Sequence, residues 1–457
     1  QHSYLGVTCH FIDNSWIMQK RVLAFRVFDD SHSAQNIYKL MKIIFEEYSI
    51  ENKIFAIGFD NAANNTAVIP HLINLCNPYF GGRFFHQRCV CHVLNLCVQT
   101  GLTLLKESIT PIRNALYYLW KHPNIMKQWA KFCKSNRMHP IRFSRDVPHR
   151  WNSTYKLLSE SYAYKDLLVT FMQYNCSEIA LFPQHWDVCT KICELLKVFN
   201  DSTHNLSGIY YPTTHLFFEE ALNIVGAFST CENDELLGNV VAAMKQKWLN
   251  YYREIPLIYA IALCFDPRCK FENLFIFYSN YYQCLGITNV DPVVLANNIK
   301  TLFYELYDEY LILYGPSMNI TGVQTSENAS GSKSRESSSS FMKLGSMLMS
   351  KQTKKGRTSS SSSTTEVDVY LKTQFEFMDS DNIEFNILEW WKEHEKHFPI
   401  LSIIAKQILG TPVSTMAVKQ EFSSDGNILD LKWSLMSPES AQVEVCVHDW
   451  TKAQLRQ

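Results

Sequence analysis

Asp60 closes the apolar run Ile54-Phe55-Ala56-Ile57-Gly58-Phe59 and precedes a polar turn from Asn61 to Asn65. A carboxylate at the carboxyl end of a buried, parallel-type strand lies where open α/β sheets collect their ligands. Two-metal phosphoryl transfer is the chemistry such a residue suggests. That chemistry needs clustered carboxylates, because two divalent cations roughly 3.5 to 4 Å apart must be held together. Alone, Asp60 reads more plainly as the cap of the following turn. Cys89, Cys91 and His92 contain one Cys-x-x-His pair, two of the four ligands a structural zinc requires, and no second pair follows at finger-like spacing. A packed helix start accounts for them, and Cys189 and Cys193, four apart on a helical face, read as core. The sequence holds no glycine-rich phosphate loop and no serine nucleophile elbow.

Electrostatically, the richest stretch runs from Lys121 to Arg150. It carries Lys121, Lys127, Lys131, Lys134, Arg137, Arg142, Arg145 and Arg150 against the single acid Asp146. Such a cluster can track a phosphate backbone, and a solvated face is the competing reading. Trp129 and Phe132 within it read as core. Lys351 to Arg357 is a second, shorter basic run, suited to nuclear import machinery or simply to a solvated linker. At the other end Trp390, Trp391, Phe398, Ile400, Leu401, Ile404, Ile408 and Leu409 crowd into a short span. That is more apolar surface than a short helical tail buries alone, so it packs on the rest of the chain, on another subunit, or on both.

The elements that must position these groups follow from periodicity. Tyr4 to Ile12 and Val22 to Phe28 read as an antiparallel strand pair around the turn Asp13-Asn14-Ser15. Ile37, Leu40, Met41, Ile44, Phe45 and Tyr48 recur at helical spacing, Ile54 to Phe59 is a buried strand, and Arg83 to Cys89 is strand-like. The order β-β-α-β-α-β-α predicts a mixed sheet with helical crossovers. Beyond Leu102 the periodicity is helical almost throughout, then serine dominates from Ser326 to Thr365, and helices resume near Val367. The expected division is 1–105 as the first part of an α/β core, 106–315 as an all-helical insertion, 316–365 as a disordered serine-rich linker, and 366–457 as a helical segment that completes the core.

The 457 residues are 46% hydrophobic and 19% charged, enough for two or three domains with cores of their own. Lys plus Arg at 43 against Asp plus Glu at 44 leave no chain-wide field, so any nucleic-acid contact must come from a local patch. No stretch approaches the ~20 apolar residues of a membrane span, and no membrane partner is expected. The fourteen cysteines form no compact disulfide framework, which fits a reducing compartment. Because the text begins at Gln1 directly in a strand pattern, a longer natural chain is expected.

Several blocks resemble the hAT transposases, in the order in which that family carries them. They are Ser3 to Thr8 with Phe11-Ile12-Asp13, Phe59-Asp60-Asn61-Ala62-Ala63-Asn64, Arg88 to Leu96, Asp146 to Tyr155, Leu206 to Thr213, Asp266-Pro267-Arg268, Leu306 to Tyr310, and Leu388 to Thr415. The subgroup with a BED zinc finger, the daysleeper and ricesleeper proteins, is the nearest likeness, although no finger lies in these residues.

The resemblance implies a ribonuclease-H-like mixed sheet interrupted by a large all-helical insertion, with a C-terminal helical dimerisation region. It implies nuclear location, DNA and a second copy of the chain as partners, and Trp390, Trp391, Phe398 and Leu401 as dimerisation residues. Lys127, Lys131, Lys134, Arg150 and Trp151 are the expected DNA contacts; Trp151 matches a family position near the DNA end, where an indole can stack on an unpaired base. Of the family's Asp, Asp and Glu trio, Asp60 matches the second and the first would precede Gln1. Where relatives read Ser-Thr-Val-Ala-Ser-Glu-Ser-Ala-Phe-Ser, this chain reads Ser414 to Ser423 with Lys419 at the Glu position. A cation there repels the metals, and Glu421, two positions on, faces about 200° away on a helix. Asp425, Asn427 and Trp433 also depart from the family pattern. The expected function is a transposase-derived, catalytically inactive, DNA-associated dimer, a domesticated regulator or degenerate transposon copy, with no cofactor. The alternatives are an active hAT transposase using Mg²⁺, with Glu421 supplied by a register shift, and an interaction scaffold without DNA contact.

Overall fold

The computed structural model describes residues 3–147, 150–316, 365–373, 375, 385–418 and 437–455. The serine-rich stretch, Lys351 to Arg357, Lys419, Glu421, Asp425, Asn427 and Trp433 lie outside the described residues.

Strands β1 (Tyr4–Ile12) and β2 (Met18–Val27) pair antiparallel, with Tyr4 opposite Val27 and Ile12 opposite Met18. The register shifts between Val7 and Thr8, so β2 bulges at Leu23, whose carbonyl accepts from Tyr48 Oη at 2.7 Å. Helix α1 (Ala34–Tyr48) starts where the Ser33 hydroxyl accepts from Asn36 N–H and ends on Ser49 in the left-handed region. Its buried face is Ile37, Met41, Ile44 and Phe45. Strand β3 (Ile57–Phe59) runs parallel to β4 (His86–Arg88), joined through α2 (Ala63–Ala67) and α3 (Ile69–Cys76).

The expected single mixed sheet is corrected here. Among the described residues the strands form two separate pairs, β1 with β2 and β3 with β4, that share a small core with α1 and α3 through Ala24, Ile44, Ile57, Leu72 and Phe85.

Helix α4 (Val90–Leu104) leads from β4 into the helical part, which comprises α5 (Lys106–Lys121), α6 (Pro123–Ser135), α7 (Trp151–Tyr162), α8 (Lys165–Asn175), α9 (Pro183–Leu206), α10 (Phe217–Cys231), α11 (Gly238–Tyr252), α12 (Leu257–Cys264), α13 (Glu272–Cys284) and α14 (Pro292–Tyr314). After the undescribed stretch come α15 (Glu366–Lys372), α16 (Ile387–His394), α17 (Pro399–Leu409) and α18 (Pro438–Gln454). One continuous apolar core joins the hairpin tip (Ile12, Trp16, Met18) to the helical part and to α15 to α17. No described helix is long and apolar enough to cross a membrane.

Candidate functional site

Asp60 follows β3, and its Oδ1 accepts from Ala62 N–H at 3.2 Å and Asn65 Nδ2 at 2.7 Å. This is an Asx-type turn that launches α2. Both bonds fall on Oδ1, so Oδ2 has no partner among the described residues.

The C-terminal segment crosses the carboxyl ends of β3 and β4 beside it. Phe59 O accepts from Cys89 N–H at 2.8 Å, and Val90 N–H donates to Val413 O at 2.9 Å. Thr415 N–H lies 3.3 Å from Cys89 Sγ, which is 3.8 Å from Ser414 Oγ. A methyl group added at Gly58 would lie 3.9 Å from Thr415 Cγ2. From the other side Thr213 Oγ1 accepts from Val413 N–H at 3.3 Å, and Thr214 Oγ1 donates to Thr411 O. Blocks far apart in sequence, at 59–64, 88–96, 206–213 and 411–415, thus meet at one place. Cys89 and Cys91 are buried in this packing.

Chemically the place is limited. No group of three or more His, Cys, Asp or Glu able to hold a metal occurs among the described residues. One carboxylate with one oxygen already engaged cannot hold two cations, so the described residues do not form a two-metal centre.

The basic stretch folds as a cationic ridge on an aromatic base. Trp129, at the centre of α6, is fully buried against Phe143 and Phe171, and its Nε1 donates to Ile141 O at 3.3 Å. Trp120 Nε1 donates to Phe143 O at 3.2 Å. These bonds fix the loop that carries the exposed Arg142 and Arg145. Lys127, Lys131 and Lys134 recur at i, i+4 and i+7 on the exposed side of α6. Asp146, the one acid of the stretch, is occupied by Arg113 Nε at 2.5 Å and Thr154 Oγ1 at 2.7 Å. Arg150 is exposed just before α7.

The structure places most of two sets of expected site residues in the core. Trp151 is 3% exposed inside the core, so its indole offers no face to a base. It occupies the first turn of α7, where one residue's step rotates a side chain by about 100° from the exposed Arg150. Trp391, Phe398 and Leu401 are buried within the chain itself. Trp391 Nε1 donates to Phe265 O at 2.9 Å and its ring stacks on Trp16 at 6.4 Å. Tyr370, whose Oη donates to Cys264 O, packs on Trp391 and Phe398. Trp390 is half-buried and stacks on His394 at 4.0 Å. The Asp266-Pro267-Arg268 block serves the same clasp. Buried Asp266 holds the Arg268 guanidinium at 2.6 Å, and Lys270 Nζ donates to Thr373 O.

Sequence reasoning did not single out α18. Its inner residues Ala441, Val445 and Cys446 pack on Val22 and Phe25 of β2. Its outer side leaves Val443 60% and Val447 49% exposed. The signal present in the sequence was the i, i+4 valine pair.

A hairpin, a helical part and a C-terminal segment returning to the strand ends follow one another along the chain, and family models match in the same order. Residues 1–78 match the ZBED1 RNase-like domain and 87–195 its helical domain. Residues 215–310 match the hAT-like transposase RNase-H fold, a match that falls on α10 to α14, and 366–451 match the hAT family C-terminal dimerisation region. The chain carries the domains of the hAT transposase family.

Among curated proteins it is 27% identical, over 99% of its length, to a Zea mays protein named for the AC transposase. It is 26% identical over 98% to zinc finger BED domain-containing protein RICESLEEPER 1 of Oryza sativa, and 23% identical over 98% to DAYSLEEPER of Arabidopsis thaliana. The ricesleeper and daysleeper proteins are its homologues. The chain spans 55%, 62% and 61% of the lengths of these three relatives.

Proposed function

We propose that this chain is the body of a transposase-derived nuclear protein that associates with DNA, pairs with a second copy of itself, and neither cuts nor joins DNA. The DNA reading is carried by Lys127, Lys131 and Lys134 on one exposed face of α6, with no acid on that helix. Arg142, Arg145 and Arg150 extend the charge. Catalytic silence is supported by Lys419 at the position of the family's Glu and by Asp60 spending Oδ1 on its own turn.

Self-association is supported by the dimerisation-region match, and the face we assign to it is the outer side of α18. Among the described residues of 366–451, Val443 and Val447 are the most exposed large apolar side chains. Glu439 and Glu444 lie in the first half of α18 and His448 and Lys452 in the second. An antiparallel pairing of two copies therefore sets unlike charges against each other.

The placement of Ser414 and Thr415 against Cys89 and Gly58, at the strand ends that lead into Asp60, favours a second reading, an active transposase using Mg²⁺ with a further carboxylate from outside the described residues. A titration of DNA against salt, with Mg²⁺ present and strand integrity followed in the same samples, tests both. Affinity falling steeply with salt over intact DNA is the expected result. Metal-dependent cleavage establishes the second reading, and salt-independent or absent binding leaves an interaction scaffold.

A further inference from the structure

With Trp151 buried, any stacking of a base on this chain needs a different aromatic ring, and the surface beside the lysine ridge supplies one. Helices α6 and α8 enclose an open groove of about 450 Å³. Lys131, Gln128 and Phe132 line it from α6, and Phe171, Tyr174 and Asn175 line it from α8. Tyr174 is 83% exposed, the most exposed aromatic side chain among the described residues. Phe171 below it is buried against Trp129, so the floor is rigid while the rim is open.

The chemistry of this groove is mixed in a particular way. It offers an apolar floor, one phenol ring standing at the rim, two carboxamides able to donate and accept, and a lysine ammonium. The ammonium belongs to the ridge Lys127, Lys131 and Lys134, which extends about 10 Å along α6 at 1.5 Å per residue. Cations in a row beside an exposed ring are the combination that holds an unpaired strand: the row neutralises phosphates and the ring stacks a base. A duplex keeps its bases stacked inside and presents only its phosphates to the ridge, because opening it costs unstacking energy.

We infer that the groove between α6 and α8 is a docking site for an unpaired nucleotide of single-stranded nucleic acid, with Tyr174 as the stacking ring and Lys127, Lys131 and Lys134 as the phosphate contacts. The inference rests on the DNA reading above and adds strand selectivity to it. The groove reads the base face and the phosphate, so it discriminates unpaired from paired strands more than one sequence from another.

The test uses the chain of residues 1–457 with a fluorescent single-stranded oligothymidine and a duplex of equal length, titrated at several salt concentrations. The chain is expected to prefer the single strand. Tyr174→Ala should weaken single-strand binding about tenfold, leave duplex binding unchanged, and leave the salt slope unchanged. Tyr174→Phe should retain the preference, which separates stacking from loss of fold. Replacing the three lysines by Ala should lower the salt slope for both probes. If Tyr174→Ala affects neither probe, or both equally, while salt-dependent binding persists, the groove assignment is overturned and the DNA reading stands. If neither probe binds in a salt-dependent way, the DNA reading falls and the groove assignment with it.

Discussion

Lys20 Nζ lies 2.5 Å from Asp449 Oδ1, and the two side chains are 0% and 4% exposed, so the first hairpin and the last helix are joined by a buried ion pair. The other carboxylate oxygen of Asp449 accepts from Val22 N–H at 2.6 Å, and Trp450 Nε1 donates to Val22 O at 2.9 Å. Val22 adjoins the bulge in β2, so two side chains of α18 serve its backbone as a neighbouring strand would. Helix α18 is thereby seated on the strand pair.

Asp449→Ala should be strongly destabilising, because it removes the carboxylate that pairs with the buried Lys20 ammonium and accepts from Val22 N–H. A loss of about 3–5 kcal/mol is expected in urea unfolding. Combining Lys20→Met with Asp449→Leu should recover more than half of it, since an apolar pair of similar volume removes both charges. A double variant no more stable than Asp449→Ala would show that the carboxylate acts on the backbone alone.

How much of this was legible beforehand differs by residue. The hairpin and the helical face of α1 follow from alternation and from the 3.6-residue period, and Asp60 at a strand end follows from one apolar run meeting a polar turn. The density of Trp391, Phe398 and Leu401 signalled burial correctly, but density does not say whose surface does the burying; Phe265 and Trp16, over a hundred residues away, do so here. Trp151 lies in the core although Arg150 beside it is exposed, because proximity in sequence says nothing of the face at a helix start. The Lys20–Asp449 pair was not legible, since a lone lysine within a strand reads as exposed.

The α18 pairing face gives a direct outcome. Val443→Glu with Val447→Glu should raise the dimer dissociation constant by at least tenfold in sedimentation, since a carboxylate at each apolar contact is both desolvated and repelled by its symmetry mate. Melting should shift little, because both side chains point outward. A wild-type chain that sediments as a monomer at micromolar concentration removes this face from consideration.

Gly101 lies where α4 crosses α11. A Cβ added there would lie 2.6 Å from Met244 Sδ, 2.9 Å from its Cγ and 3.1 Å from Val240 Cγ1. Met244 is itself fully buried and has little room to yield. Gly101→Leu should therefore cost about 1–3 kcal/mol or more through overpacking, despite leucine's better helix propensity. Denaturant midpoints compare the two chains, and an unchanged midpoint would mean that the crossing is looser than these distances.

A buried group and a half-buried one impose opposite pH slopes. Burial holds the His215 imidazole down to about 4 from its ordinary 6.5, so the unfolded chain takes up its proton first and stability is lost as pH falls from about 6.5 to 4. Burial pushes the Glu366 carboxyl up to about 7, although Leu401 and Ile400 N–H donate to it at the start of α17. There the folded chain keeps its proton longer, so this contribution is full below the ordinary 4.5 and is lost as pH rises through 7. His215→Gln should flatten the acid side of a stability profile and Glu366→Gln the neutral side. Urea unfolding at pH 4.5, 6 and 7.5 resolves the two, and a variant leaving its own limb unaltered refutes that assignment.

Asp60 separates a structural role from a catalytic one. Asn in its place keeps an acceptor for Ala62 N–H and Asn65, so Asp60→Asn should leave stability within about 0.5 kcal/mol, whereas Asp60→Ala removes both bonds and should cost about 1–2 kcal/mol. Catalysis is another matter. A metal pair needs several carboxylates in one shell, and the function proposed above, with Lys419 standing for the Glu that the resemblance implies, combines loss of a ligand with added repulsion. The chain, given Mg²⁺ or Mn²⁺ and DNA with matched terminal repeats, should therefore leave the DNA intact. Activity gained on Lys419→Glu, and lost again on adding Asp60→Asn, would locate the failure at that position. Cleavage by the unaltered protein, abolished by Asp60→Asn at unchanged stability, would instead make Asp60 a working ligand and the chain an active transposase.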